Sequence, residues 1–223
     1  AKKGKTVVMR HDVDRLPYNS LQMSRVEHEL GISSTYYFRH IPSVFKQDII
    51  KAIYDLKHEI GYHYETLSKA AGDKELAISL FVNELNDFRK IVPITTICMH
   101  GSPLYSYDNR ELWQYYDYKK YGIIAEPYLS IDYEKVAYFT DTGRTWGETS
   151  LNLRDRVEVK TPFLNNLTDT NSLINYIKKN EPKTLIIQTH PERWAYSINS
   201  YIFSYCMDTA ANTIKMMIKL VRK

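Results

Sequence analysis

Short apolar runs alternate with longer amphipathic segments through most of this chain, and this alternation restricts the possible folds more than any other feature. Apolar runs at residues 6–12, 34–39, 59–63 and 95–100 are predicted β-strands, and the segments between them show helical spacing of their apolar residues. A strand, a helix and a second strand form the repeating unit of a parallel sheet. The sequence therefore predicts an α/β fold with a parallel sheet or barrel.

The second half of the chain continues this pattern less regularly, with loops expected at 101–109 and 143–156. No linker or internal repeat divides the chain, and 223 residues with 43% hydrophobic content can bury one core, so a single domain over residues 1–223 is expected. The remaining predicted elements are helices at 111–121, 171–179 and 197–221 and strands at 122–126, 136–140 and 184–190.

Composition argues against several classes of protein. The net charge of +4 is spread along the chain without a long basic block, so nucleic acid binding is not indicated. Only two cysteines occur, Cys98 and Cys206, which indicates neither a disulfide framework nor a cysteine zinc site and suggests a reducing, cytoplasmic compartment. No apolar run approaches the roughly 18 residues of a membrane span, so no transmembrane segment is expected.

Polar residues stand where the predicted strands end. Because side chains alternate along a strand, Asp12 and Asp14 project to the same side. The carboxyl ends of parallel strands meet at one edge of the sheet, which is where such folds place their active sites. Residues at the ends of four strands are therefore expected to share one site: Asp12 and Asp14, His63 and Glu65, His100, and His190.

Carboxylates and imidazoles in one site are suited to a divalent metal ion that lowers the pKa of a bound water. A second carboxylate can accept the proton of that water, and a histidine can protonate the leaving group, as amide or ester hydrolysis requires. No Gly-x-Ser-x-Gly segment for a serine nucleophile occurs. Two alternatives remain open: a glycosidase that uses paired carboxyl groups, and a ligand-binding protein without hydrolytic activity.

The order of these residues resembles that of the polysaccharide deacetylase family, the NodB-homology or family 4 carbohydrate esterases. The resemblance rests on Asp12-x-Asp14, on residues 58–63 and on residues 185–191. It implies a distorted (β/α) barrel of about seven βα units and a carbohydrate substrate. It also implies that Asp12 is the general base and His190 the general acid, and that Asp14 and His63 bind a divalent metal ion, zinc or else cobalt or nickel.

The sequence departs from the family pattern at two positions. Leu67 stands where the family has its second metal-binding histidine, so His100 is taken as the third ligand, with Glu65 as the rival. His100 in turn stands where the family has an arginine that steadies the base. Three arginines could take over that role, and the sequence does not choose among them: Arg10, Arg39 and Arg144.

By the same resemblance, Asp141, Arg144 and Trp146 are expected to line the substrate pocket. The sequence thus predicts a metal-dependent hydrolase that removes an N-acetyl or similar acyl group from an amino sugar of a polysaccharide or its precursor. The alternatives are a catalytically inactive carbohydrate-binding protein with the same fold and a metal-dependent amidase on a similar barrel.

Overall fold

The computed structural model describes residues 4–101, 106–146 and 167–221. Within this part of the chain, six parallel strands form one sheet in the order β4-β3-β2-β1-β6-β5, which curls into a half-barrel with helices around it. This confirms the predicted distorted (β/α) barrel. The strands are β1 (Thr6–Val13), β2 (Thr35–Arg39), β3 (Glu59–Tyr64), β4 (Ile97–Met99), β5 (Ala137–Thr140) and β6 (Thr184–Thr189).

Seven α-helices connect or follow these strands in the described residues. They are α1 (Pro17–Glu29), α2 (Gln47–Asp55), α3 (Thr66–Lys69), α4 (Lys74–Arg89), α5 (Pro127–Ser130), α6 (Thr170–Asn180) and α7 (Ile198–Val221). None of the helices in the described ranges is long and apolar enough to cross a membrane.

The two faces of the curled sheet differ in chemistry because side chains alternate along each strand. On the outer face, Tyr36 and Phe38 of β2 and Ile60 and Tyr62 of β3 belong to the main core cluster. Fully buried residues of the helices, among them Ile50, Ile53, Phe81 and Phe88, complete this cluster. The inner face carries polar side chains instead, so the fold brings the polar ends of the strands together inside the barrel.

The strand order places β1 between β2 and β6, so the Asp12 and Asp14 segment lies at the centre of the sheet. Arg39 pairs in register with His63, and His63 pairs with Cys98. Parallel pairing keeps all the carboxyl ends at one edge, and the predicted site residues therefore lie close to one another.

The structure corrects the sequence prediction between β4 and β5. The predicted helix at 111–121 is two short 3₁₀ helices, Asn109–Gln114 and Tyr118–Tyr121. The side chain of Asp117 accepts a hydrogen bond from the backbone of Lys119 and so starts a separate turn. The predicted strand at 122–126 is reduced to one bridge between Ala125 and Thr96. The described ranges therefore contain six strands and two isolated bridges, this one and an antiparallel bridge between Trp146 and Leu167.

Candidate metal centre and active site

Three histidines from three strand ends converge on Asp14, the residue that follows β1. The Nε2 atom of His63 lies 3.3 Å from Asp14 Oδ1, and that of His100 lies 3.5 Å from the same oxygen. The Nε2 atom of His190 lies 3.9 Å from Asp14 Oδ2. The histidines are buried, whereas 24% of the Asp14 side chain is exposed. The fold thus brings together the residues that the sequence predicts as metal ligands, Asp14, His63 and His100, and the histidine that it predicts as the acid, His190.

His63 is oriented by a backbone carbonyl. Its Nδ1 atom donates a hydrogen bond to the Cys98 carbonyl oxygen at 2.9 Å, which leaves Nε2 directed at Asp14. Burial lowers the pKa of His63, but the charges of Asp12 and Asp14 outweigh burial and raise it above its ordinary value. A hydrogen bond to the second ring nitrogen is the usual way to fix a metal-binding histidine, so His63 has the orientation of a ligand.

His100 is oriented by a carboxylate instead. Its Nδ1 atom lies 2.9 Å from Glu65 Oε2, and Arg39 holds both Glu65 oxygens through its Nη2 atom at 3.0 and 2.8 Å. Although burial raises the pKa of Glu65, His100 and Arg39 lower it to about 2. Both oxygens of Glu65 are therefore already engaged. This geometry favours His100 as the third ligand and gives Glu65 the task of positioning it.

Leu67, which occupies the family's second histidine position, points away from this site. It lies in α3, is 3% exposed, and packs in an apolar cluster with Ala70, Ala77 and Leu112. A histidine here would be buried among apolar side chains. His100, which directly follows β4, approaches Asp14 instead.

Asp12, the predicted base, is buried and held on one side. Its Oδ2 atom accepts hydrogen bonds from Gln188 Nε2 at 2.5 Å and from Arg10 Nη2 at 3.3 Å. The Tyr138 hydroxyl in turn donates a hydrogen bond to Gln188 Oε1. The Oδ1 atom of Asp12 is buried and has no hydrogen-bond partner among the described residues. One oxygen of the base is thus fixed and the other is available.

Of the three arginines that the sequence left as alternatives, Arg10 is the one beside the base. Its guanidinium also donates to the Tyr128 hydroxyl at 2.8 Å and lies 4.7 Å from the centre of that ring. Arg39 is engaged with Glu65, and Arg144 Nε lies 2.8 Å from Asp208 of helix α7. Among these three arginines, Arg10 is therefore the one that contacts Asp12, and it lies on the same strand.

His190, the predicted acid, forms a buried pair with Asp141. Its Nδ1 atom lies 2.6 Å from Asp141 Oδ1, and its backbone N–H donates to Oδ2 at 3.1 Å. Burial and the charge of Arg193 lower the pKa of His190, but Asp141 raises it to about 9 overall. At neutral pH the imidazole is therefore protonated, with its Nε2 atom towards Asp14.

The predicted substrate-binding residues line one cavity of about 310 Å³, together with Arg193 and Trp194. Asp141 is 6% exposed and engaged with His190, so its position indicates an orienting role as well. Trp146 packs mainly in an apolar cluster with Phe139 and Leu173. Part of the predicted loop at 143–156, residues 147–156, lies outside the described residues, as do residues 102–105.

Two residues that the sequence analysis did not identify contact predicted site residues. Gln188 binds Asp12, and Arg193 donates to Asp141 Oδ1 at 2.7 Å. Gln188 could have been identified because its amide interrupts strand β6, whose other residues are apolar or carry a hydroxyl group. Arg193 lies one helical turn after His190, and that spacing could have indicated it.

Comparison with known proteins supports this fold at low sequence identity. No protein-family model and no curated protein matches the chain. Two crystal structures resemble it, the wild type of a CE4 family pseudoenzyme from Bacillus anthracis and a mutant of the same protein with restored enzymatic activity. Each is 10% identical to this chain and superposes on 96% of it with a TM-score of 0.50. This chain spans 63% of the length of the wild-type structure and 65% of the length of the mutant.

The chain therefore has the fold of the CE4 family, the carbohydrate esterases of family 4, as the sequence motifs led us to expect. At 10% identity the similarity concerns the fold alone. The chemistry has to be argued from the site.

Proposed function

We propose that this protein is a metal-dependent hydrolase that removes an N-acetyl or similar acyl group from an amino sugar of a polysaccharide or its precursor. One observation carries the proposal: His63 and His100 both direct Nε2 at Asp14 while their Nδ1 atoms are engaged elsewhere. Asp12 and His190 flank this group, as a base and an acid should.

The donor set fits zinc, with cobalt or nickel as alternatives, because two imidazole nitrogens and one carboxylate form a common three-residue catalytic site. Asp14 Oδ1 is buried without a hydrogen-bond donor among the described residues, so a cation would satisfy it. When bound, such an ion lowers the pKa of a water molecule and polarises the acyl carbonyl. Asp14, His63 and His100 would hold it.

Asp12 is proposed to accept the proton of the attacking water through Oδ1. Gln188 and Arg10 hold the opposite oxygen, so the carboxylate does not have to reorient when it takes the proton. His190 is proposed to donate its Nε2 proton to the leaving amine nitrogen. Asp141 lies 2.6 Å from Nδ1, orients the ring and, through its charge, raises the pKa of His190 and so favours the protonated form.

The substrate class is inferred from the fold and from the cavity beside His190. Arg144 supplies cationic hydrogen-bond donors to its lining, and Trp146 supplies an aromatic ring. Such groups suit a sugar with hydroxyl and amide substituents.

The test combines metal analysis with product analysis. The purified chain is loaded with zinc, cobalt or nickel, its metal content is measured by elemental analysis, and acetate release is followed with N-acetylated amino-sugar oligomers. We expect one bound ion per chain and turnover that is lost in Asp12→Asn and in His190→Ala. The matched controls are Asp55→Asn and His28→Ala, which change exposed side chains remote from the site.

Three outcomes would contradict the proposal. A chain that binds none of the three ions is an inactive relative with the same fold. A loaded chain that releases no acetate but cleaves other amides is an amidase. Unchanged turnover in Asp12→Asn and His190→Ala would show that the roles of base and acid are misassigned.

A further inference from the structure

A second group of donor atoms lies inside the barrel, next to the site described above. An oxygen of Asp12, a ring nitrogen of His63 and the Cys98 sulfur lie within 4.8 Å of one another, and all three residues are buried. They come from β1, β3 and β4, and His63 and Cys98 are register partners. This inner group shares only His63 with the outer group of Asp14, His63 and His100.

The inner group has the composition of a zinc site. Thiolate, imidazole and carboxylate are all established zinc ligands, and the sulfur favours soft cations such as cadmium. The Oδ1 atom of Asp12 has no hydrogen-bond partner among the described residues, so this carboxylate has an oxygen that a cation could satisfy. A tetrahedral ion holds its ligand atoms roughly 3.5 Å apart, so small side-chain rotations would close the group around a cation.

His63 lies between the two groups. Its Nε2 atom is 3.9 Å from Asp12 Oδ2 and 3.3 Å from Asp14 Oδ1. Arg10 lies beside Asp12, with its Nη2 atom 3.3 Å from Asp12 Oδ2. Because one ring nitrogen binds one ion, the inner and outer positions compete for His63.

We propose that Asp12, His63 and Cys98 form a second metal position that takes thiophilic divalent cations and blocks the hydrolytic site when filled. The Cys98 thiol releases its proton to solvent as the sulfur binds the ion. The inhibitory part rests on the proposed function, because it follows from removing Asp12 as base and His63 as outer ligand. The binding part does not depend on activity.

The binding test uses absorption spectroscopy, and the chain contains its own control. Only Cys98 and Cys206 can give a thiolate-to-metal charge-transfer band, and Cys206 is exposed on α7. Metal-free protein is titrated with Co²⁺ and with Cd²⁺. We expect the charge-transfer band in the wild type and in Cys206→Ser. We also expect it in His100→Ala, a variant in which the outer group is disabled. Cys98→Ser should abolish the band.

Affinity gives a second readout. We expect Cys98→Ser to weaken Cd²⁺ binding by at least about 10–100-fold, the cost of disturbing a metal ligand, and Cys206→Ser to leave it unchanged. Cys98→Ala replaces Cys98→Ser if circular dichroism shows that the serine variant does not fold. A wild type without the band at saturating Co²⁺, or a band that persists in the Cys98 variants, overturns the inner site.

Inhibition is measured separately so that the two proposals fail independently. We expect Cd²⁺ to inhibit the zinc-loaded wild type at about 10–100-fold lower concentration than it inhibits a Cys98 variant, each relative to its own rate. A charge-transfer band in a protein without turnover would leave the inner site intact and refute the hydrolase. Turnover with equal Cd²⁺ sensitivity in both proteins would refute the inhibitory role.

Discussion

The pair of His190 and Asp141 can be tested directly by Asp141→Asn, which removes one charge and keeps the size of the side chain. Asp141, with a smaller contribution from Asp14, raises the pKa of His190 from an ordinary 6.5 to about 9, against the opposing effects of burial and of Arg193. Each pKa unit corresponds to about 1.4 kcal/mol, so the shift represents about 3 kcal/mol that favours the protonated ring. His190 is buried, so solvent does not screen this interaction.

The assay is an NMR titration of the histidine ring protons in metal-free protein. Burial and Arg193 remain in the variant and lower the pKa of His190, whereas the charge of Asp14 remains and raises it, so we expect the pKa to fall from about 9 to near the ordinary 6.5. At pH 8 the protonated fraction should fall from about 90% to about 3%. Asp55→Asn, a change to an exposed carboxylate, is the control and should leave the titration unchanged.

The same shift predicts how stability depends on pH. Because the folded pKa of His190 is raised, its contribution is fully present below pH 6.5 and is lost as the pH rises through about 9. The difference in free energy of unfolding between wild type and Asp141→Asn should therefore shrink by about 3 kcal/mol between these limits. An unchanged His190 pKa in the variant, or a difference in stability that is independent of pH, would refute the reasoning.

Three further substitutions test the architecture of the site. Glu65→Gln should weaken zinc binding by about 10–100-fold in a chelator competition, because it removes the carboxylate that orients His100. A variant that binds zinc as tightly as the wild type would argue against that role. Leu67→His should lower the free energy of unfolding, measured in urea, by about 2–4 kcal/mol, because residue 67 is packed among apolar side chains. The same variant should not bind zinc more tightly, and a gain in zinc affinity would contradict this placement. Gly61→Ala should destabilise the fold by about 1–3 kcal/mol, because a Cβ atom at residue 61 would lie 2.3 Å from ring carbons of Tyr37. An unchanged midpoint of urea unfolding would show that the Tyr37 ring moves aside without cost.

The local pattern of apolar and polar residues was sufficient to predict most strands and the residues at their carboxyl ends that lie near the candidate site. The alternation of side chains along a strand requires Asp12 and Asp14 to share a face, and an apolar strand that ends in His190 directs that histidine to the same edge. These are properties of neighbouring residues in the chain. Local pattern failed between β4 and β5, where turns capped by aspartate interrupt a segment whose apolar spacing is typical of a helix.

The sequence alone predicts the α/β class and the edge of the sheet that carries the candidate site. It also predicts that the strand-end residues meet there: Asp12, Asp14, His63, Glu65, His100 and His190. Only the tertiary structure decided that Leu67 faces an apolar cluster, that His100 reaches Asp14 with Glu65 behind it, and that Arg10 lies beside the base. It also placed Cys98 next to Asp12 and His63, a group that spacing in the chain does not reveal. Most of these contacts join residues on different strands or helices, and the order, register and packing of those elements are established only when the sheet forms. Arg10 and Asp12 share a strand, but the choice of Arg10 depends on the contacts of Arg39 and Arg144 with other parts of the fold.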